Sequence, residues 1–139
     1  MKYLIGIIIL AIIVTCGETP NVETIKLLGF EVYPEDCQNE KPKNTMTWSE
    51  GVKACEELGE GWRLPTLKET KIMDENKDKI LNLFDPHTDI GIFWCSDEGA
   101  DDSGMAYRIT ISNAIGIETY SSLDSKKVAH RVRAVRTLK

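Results

Sequence analysis

Two stretches in the first half of the chain have the hydrophobic spacing of amphipathic helices. The apolar residues of the first stretch recur every three or four positions and are Trp48, Val52, Cys55 and Leu58. Thr47 and Glu50 form a capping-box pair, which marks a helix start, and Gly59 is a typical helix stop. This pattern predicts one short helix between Thr47 and Gly59.

A second capping-box pair, Thr66 and Glu69, follows an extended bend. Leu64 stands before a proline, which pushes its backbone toward an extended conformation. The pattern therefore predicts a second helix that begins near Leu67 and ends around Asp78.

The bend itself, Trp62-Arg63-Leu64-Pro65-Thr66, is the most distinctive segment of the chain. Large aromatic rings and the guanidinium fork of arginine usually position structure. We therefore expect Trp62 and Leu64 to anchor the core. We expect Arg63 to donate to an ion pair or a hydrogen bond rather than to act in catalysis.

Most other apolar positions fall into short segments of strand length. Alternation over residues 28–32 predicts an opening strand that ends at Pro34. The uninterrupted apolar run at 92–95 predicts a buried central strand. The apolar patch at 80–84 is either core or a short helical turn.

The second half of the chain alternates with a period of two residues. Residues 107–111 and 115–119, with Asn113 between them, predict a β-hairpin. Residues 128–135 predict a closing strand whose arginines fall on both faces. The whole pattern predicts an α+β class, with two short helices packed on small antiparallel sheets.

The N-terminus has the pattern of an export signal, in which Lys2 precedes an apolar run over residues 3–14. A helix of that length spans about 18 Å, whereas the hydrocarbon core of a bilayer is about 30 Å thick. We therefore expect cleavage of the signal rather than a permanent membrane span.

Cys16 follows this run directly and is similar to the lipidated cysteine of a bacterial lipobox. Thr15 departs from the small residue usual before that cysteine, and an ordinary secretory cleavage site nearby is the alternative. We predict a signal peptide at 1–15, a lipidated N-terminus and linker at 16–27, and one domain at 28–139. Several acyl chains on Cys16 would anchor the protein stably in membrane lipid.

The net charge of -5, with no run of Lys and Arg, argues against nucleic-acid binding. Three cysteines follow Cys16 and are Cys37, Cys55 and Cys95. An exported compartment permits disulfides, so one pair can form, and the sequence does not distinguish which. A zinc site is disfavoured because no two cysteines are closely spaced. We expect Cys95, on an apolar strand, to be buried rather than a nucleophile.

The segment 96–104 is the one oxygen-rich loop, and its acidic residues are Asp97, Glu98, Asp101 and Asp102. Calcium takes six to eight oxygen ligands, and these carboxylates lack the spacing of an EF-hand. We therefore expect a solvated loop, with no metal or other cofactor, although the same loop is our candidate for ligand contact.

Four segments of the chain together carry a resemblance to a known family. They are Thr47-Trp48-Ser49-Glu50 with Cys55, Trp62-Arg63-Leu64-Pro65-Thr66 with Glu69, Phe93-Trp94-Cys95-Ser96, and Val132-Arg133-Ala134-Val135-Arg136. Over about residues 28–136 the chain resembles the Lcl C-terminal-like domain, a bacterial domain related to the C-type lectin-like fold. The resemblance implies a C-type lectin-like fold in which these residues are structural.

The chain departs from the family pattern at two cysteine positions. It has Trp94-Cys95-Ser96 where members tend to have Trp-Ser-Ser, and it has Ala134 where many members have cysteine. The resemblance then implies that Cys37 pairs with Cys55, which leaves Cys95 as a thiol. It also suggests that Arg63 and Arg133 contact Glu69 or backbone carbonyls and tie the helix entry to the closing strand.

The resemblance implies a non-catalytic binding or adhesion module anchored outside the cytoplasm, in the cell envelope. Loops 96–104 and 112–116 would contact a glycan or a surface protein. The alternative is a thiol-dependent enzyme that uses Cys95, related to the formylglycine-generating sulfatase-modifying enzymes. No Ser/His/Asp arrangement, phosphate-binding glycine loop or zinc spacing in the sequence supports an enzyme.

Overall fold

The computed structural model describes residues 23–41, 44–80, 82–101 and 104–139. In chain order, its elements are β1 (Ile25–Lys26), β2 (Phe30–Val32), α1 (Trp48–Glu57), α2 (Leu67–Glu75), a 3-10 turn (Lys77–Lys79), β3 (Ile90–Glu98), β4 (Met105–Ser112), β5 (Tyr120–Ser125) and β6 (Val135–Thr137). The predicted signal peptide, Cys16 and Asp102 lie outside the described residues. Strand β1 lies within the segment 16–27 that we assigned to a linker.

The strands form two antiparallel three-stranded sheets, with the orders β1-β2-β6 and β3-β4-β5. In the first sheet, Phe30 pairs with Thr137 and Val32 with Val135, so both ends of the domain meet there. In the second, the central strand β4 pairs with β3 on one side and β5 on the other. The α+β class and the two helices with small antiparallel sheets are confirmed.

Both helices begin where their capping boxes predict. The Thr47 side chain accepts the Glu50 N–H while the Glu50 carboxylate accepts the Thr47 N–H, and Thr66 and Glu69 repeat the arrangement. Helix α2 ends at Glu75, and the 3-10 turn continues the chain close to the predicted end at Asp78. No helix among the described residues is long and apolar enough to cross a bilayer.

Two clusters of buried side chains form the core. The first lies under β3 and β4 and against α2, and its buried members are Phe30, Val32, Met73, Ile80, Leu83, Phe93, Cys95, Ile109, Ile111 and Val135. The second lies around α1, and its buried members are Cys37, Met46, Cys55, Trp62, Leu64, Trp94, Ala106, Val132 and Ala134. Because Ile80 and Leu83 are buried, the core interpretation of the patch at 80–84 is confirmed for these two residues.

Strand β3 is buried as predicted, but it is an outer strand of its sheet rather than a central one. The closing segment of the chain covers its free edge. The Trp94 N–H donates to the Arg131 carbonyl at 3.0 Å, and the Arg131 N–H donates to the Ile92 carbonyl at 3.2 Å. An uninterrupted apolar run reports burial on both faces and does not distinguish a central strand from a covered edge.

The second strand of the predicted hairpin is displaced along the chain. Strand β5 begins at Tyr120, which pairs with Thr110, so residues 113–119 form the connection. Ile115 and Ile117 are exposed in this connection. These two isoleucines alternate with polar residues as in a strand, but neither side chain is buried against the core.

The opening and closing strands of the domain also differ from their predicted bounds. Leu28 is exposed in the turn between β1 and β2, so the opening strand starts at Phe30. The predicted closing strand at 128–135 is a strand only from Val135 onward, and before it His130 and Arg131 form isolated bridges to other elements. The segment runs between the two sheets, where each residue meets a different neighbour.

Candidate functional site

The bend between the helices is held by a bidentate ion pair. Arg63 donates to both carboxylate oxygens of Glu69, at 2.8 and 2.7 Å, and to the Thr137 hydroxyl at 3.0 Å. Its backbone forms an antiparallel bridge with Val135. Arg63 therefore has the expected contact, and the bend is tied to the closing strand. Burial by itself would raise the pKa of Glu69, but hydrogen bonds from Arg63 and the Thr66 N–H hold that pKa below its ordinary value.

The bend's tryptophan also packs against the end of the chain. The guanidinium of Arg136 lies 4.5 Å from the centre of the Trp62 ring and pairs with Glu31 at 2.7 Å. Tyr33 meets Trp62 edge-on at 5.1 Å between ring centres. Leu64 and Pro65 are buried beside it. The bend is therefore packed between Tyr33 and Arg136, and the guanidinium of Arg136 is engaged by Glu31.

The other two tryptophans use their indole N–H groups to join elements distant in sequence. Trp48 donates to the Cys95 carbonyl and Trp94 to the Met46 carbonyl, both at 2.9 Å. These bonds tie the start of α1 to β3. Trp94 has no exposed surface, so both its ring and its one polar atom are committed to the fold.

Arg133 is fully buried and forms an ion pair with Asp36 at 2.8 Å. Asp36 also accepts from Arg131 at 2.5 Å, and both arginines donate to the Asn82 carbonyl. Arg133 further donates to the Pro34 carbonyl at 3.1 Å. The predicted role of Arg133 as a donor to carbonyls is thus present, but it ties the closing segment to loops at Asp36 and Asn82 rather than to the helix entry.

The described acidic residues of loop 96–104 do not converge. Asp97 accepts the Leu67 N–H at 2.7 Å at the start of α2, whereas Glu98 pairs with Lys126 at 2.5 Å. Asp101 is exposed. Strand β3 continues to Glu98, so neighbouring side chains point to opposite faces. Within the described ranges, no group of three His, Cys, Asp or Glu residues is placed to hold a metal ion.

The three cysteines are divided between the two core clusters. Cys37 and Cys55 are free thiols that lie together in the second cluster, and their interaction lowers the pKa of Cys37 and raises the pKa of Cys55. Cys95 lies in the first cluster with no exposed surface. Burial, and next the charge of Asp97, raises the pKa of the Cys95 thiol to about 12. A thiol in that state is a poor nucleophile.

A cleft of about 690 Å³ opens between loop 82–90, the segment 129–131 and the loop that follows β2. Its lining residues are Asp36, Asn44, Thr45, Asn82, Phe84, Asp85, Pro86, Thr88, Ile90, Ile92, Ala129, His130 and Arg131. The Asp36 and Arg131 pair joins two of its walls, and the Arg131 bonds to the carbonyls of Asn82 and Leu83 join the third.

The loops around this cleft contain all the non-glycine residues with positive φ among the residues described, namely Asn44 (51°), Asn82 (54°) and Asp89 (55°). Asn and Asp tolerate this left-handed region better than other side chains. Backbones held in it cluster at functional sites, because surrounding contacts must enforce them. The cleft walls are therefore shaped by tertiary contacts.

The charged side chains that line the cleft are Asp36, Asp85 and Arg131, and the Asp85 carboxylate accepts the His87 N–H at 2.8 Å. Arg131 faces Asp36, and His130 shares a hydrogen bond of 2.8 Å with Asp124 behind the wall. Burial lowers the pKa of His130, so its ring is neutral at pH 7, and the His130 hydrogen bond lowers the pKa of Asp124. Within the described part of the chain, the Asn82 amide and the Thr88 hydroxyl have no hydrogen-bond partner. The cleft thus offers apolar surface, uncharged hydrogen-bonding groups at Asn82 and Thr88, and the Asp85 carboxylate.

This cleft differs from the loops 96–104 and 112–116 that the sequence favoured as ligand contacts. Its walls come from three segments far apart in the chain, and no local sequence pattern predicts that they meet. One sequence signal is present, since Asn82 and Pro86-His87-Thr88-Asp89 have turn-forming composition before a buried strand. Neither a protein-family model nor a curated protein sequence matches the chain.

Proposed function

We propose that this chain is a non-catalytic binding module of the cell envelope, with the cleft at 82–90 and 129–131 as its ligand site. We further propose that it has the C-type lectin-like fold of Lcl C-terminal-like domains and is anchored to membrane lipid through Cys16. The two small antiparallel sheets and two short helices are compatible with that fold. The observation that carries the proposal is the cleft, whose walls are cross-linked by Arg131.

A neutral glycan is the ligand class that the cleft favours. Phe84, Ile90 and Ile92 supply apolar surface, which suits the C–H face of a sugar ring. Asn82 and Thr88 supply neutral hydrogen-bonding groups for hydroxyls. Asp36 pairs with Arg131, and the Asp85 carboxylate at the same cleft is a hydrogen-bond acceptor for further sugar hydroxyls. A protein ligand is the competing outcome of the test below.

A non-catalytic role fits the state of the reactive groups. Cys95, the residue on which the enzymatic alternative depends, is buried with a raised pKa. His130 and Asp124 form a hydrogen-bonded pair, but His130 also packs edge-on against Trp94 at 4.7 Å between ring centres. This contact supports a role in positioning the cleft wall.

The proposal is tested by filling the cleft. Thr88 is exposed and lines the cleft, so Thr88→Trp adds bulk there with little cost to folding. In a glycan array and a parallel screen of surface proteins, we expect the unmodified chain to bind a neutral glycan. We expect the Thr88→Trp variant to lose at least about tenfold in affinity, which corresponds to about 1.4 kcal/mol.

Ser121→Trp is the matched control, because Ser121 is exposed on β5 and does not line the cleft. This control should bind like the unmodified chain, and both variants should melt at the unmodified temperature. Equal binding by all three proteins would show that the ligand binds outside the cleft. Binding found only in the protein screen would show that the ligand is a protein and not a glycan.

A further inference from the structure

Cys37 and Cys55 approach each other from two different elements. Cys37 lies in the loop after β2, where its backbone N–H donates to the Val132 carbonyl at 2.8 Å. Cys55 lies on the buried face of α1. Both are free thiols in the same buried cluster, and at most 4% of either residue is exposed. Two thiols from different elements therefore meet in one part of the packed core.

The surroundings give the two sulfur atoms different roles. The hydrogen bond from the Cys55 thiol lowers the pKa of Cys37, and the guanidinium of Arg133 acts in the same direction against burial and Asp36. The same contact raises the pKa of Cys55, together with burial. The two pKa shifts are opposite in direction and have the same first cause, the interaction of each thiol with the other.

We propose that Cys37 and Cys55 form a disulfide that fixes the loop carrying Asp36 to helix α1. During folding, before the core closes over both sulfur atoms, the Cys37 thiolate attacks a sulfur of a disulfide oxidant, such as oxidised glutathione, and releases one oxidant thiolate. Cys55 then loses its proton and attacks the Cys37 sulfur of the mixed disulfide, which releases the second thiolate. The protein loses two electrons and two protons, and one oxidant disulfide is reduced to two thiols.

The cross-link acts on a wall of the cleft. It closes a ring over residues 37–55, which includes the cleft residues Asn44 and Thr45. Asp36, which holds both Arg131 and Arg133, is adjacent to one end of the ring. The disulfide therefore limits the freedom of the segment that carries this ion-pair network. The extracytoplasmic location in the proposed function supplies an oxidising compartment, but bond formation itself does not depend on ligand binding.

Cys95 is separated from this pair by its place in the other core cluster. Its side chain shares a hydrogen bond with Thr70 rather than with a cysteine. The positions of the three cysteines therefore favour a Cys37–Cys55 pair, which their order in the sequence does not distinguish from the other two pairings.

The test uses the full chain, which is reduced, unfolded and then refolded with and without oxidised glutathione, because both thiols are buried once the core has formed. Alkylation followed by peptide mapping should find a cross-linked peptide that contains Cys37 and Cys55, with Cys95 as a thiol. The Cys95→Ser variant should give the same cross-link, whereas Cys37→Ser should give none. A cross-link that contains Cys95, or full alkylation of Cys37 and Cys55 after oxidation, would overturn the assignment.

A second measurement does not depend on variants that could fail to fold. Hydrogen exchange of the unmodified chain should be compared before and after reduction of the bond. We expect reduction to shift the global unfolding equilibrium by roughly a hundredfold, as for a ring of this length, with the largest exchange increase in the described residues between 37 and 55. Identical exchange in both redox states would contradict the structural role, whatever the outcome of the glycan screen.

Discussion

At the residue scale, the stability of the domain depends on ion pairs that join distant segments. Arg133 and Asp36 are separated by 97 positions, yet Arg133 has no exposed surface and needs this partner. Such a pair cannot be predicted from local sequence. The Arg63 and Glu69 pair could be predicted, because a capping box had already placed Glu69 at the start of a helix near the bend.

Glu69→Gln is the residue-scale prediction. The folded state lowers the pKa of Glu69, so its carboxylate stabilises the fold above the unfolded pKa, and this stability is lost as pH falls through the folded pKa. Glutamine keeps the capping box but loses the charge. We expect a loss of about 1 kcal/mol at pH 7, after allowance for the partial exposure of Arg63.

Urea unfolding at several pH values measures this effect. The stability gap between Glu69→Gln and the unmodified chain should close as the pH falls below the ordinary glutamate pKa of 4.5 and through the lower pKa of folded Glu69. Glu57→Gln is the matched control, because Glu57 pairs with Lys53 at 3.9 Å on an exposed surface and should have little effect. A gap that stayed constant with pH would show that the charge of Glu69 is not what stabilises the bend.

At the element scale, local signals predicted the helices well and the strands less well. A capping box fixes a helix start through contacts between residues three positions apart, so the start of each helix could be predicted from the local sequence at Thr47 and at Thr66. Strand bounds depend on pairing partners elsewhere in the chain. Ile115 and Ile117 alternate like strand residues but are exposed, because β5 pairs with β4 only from Tyr120 onward.

The acidic loop gives the element-scale prediction. Asp97 accepts the Leu67 N–H at 2.7 Å, where a carboxylate also favours the positive end of α2. Asp97→Ala should therefore destabilise the fold by about 1 to 2 kcal/mol. Asp101→Ala is the control from the same loop and should have almost no effect, because Asp101 is exposed.

Thermal melting of both variants, with and without calcium, provides the measurement. Calcium should leave every melting temperature unchanged, since the described carboxylates of this loop do not converge. A rise with calcium that Asp101→Ala removes would restore the loop as a metal site.

At the scale of the whole molecule, the closing segment organises the domain. Residues 130–137 pair with or donate to Met46, β3, the bend at Arg63, and β2 in turn. The sequence predicted the α+β class from the order of its patterns. It could not predict the cleft, whose walls meet only when this segment brings Arg131 to Asp36 and to the Asn82 carbonyl.

A two-dimensional NMR titration of the labelled full chain tests whether this cleft is the ligand site. The titrant is the neutral glycan that binds best in the array. We expect the largest amide shifts in residues 82–92 and 129–131, with small shifts in β5. Shifts concentrated at 96–101 or 113–119, with the cleft residues unmoved, would contradict this expectation.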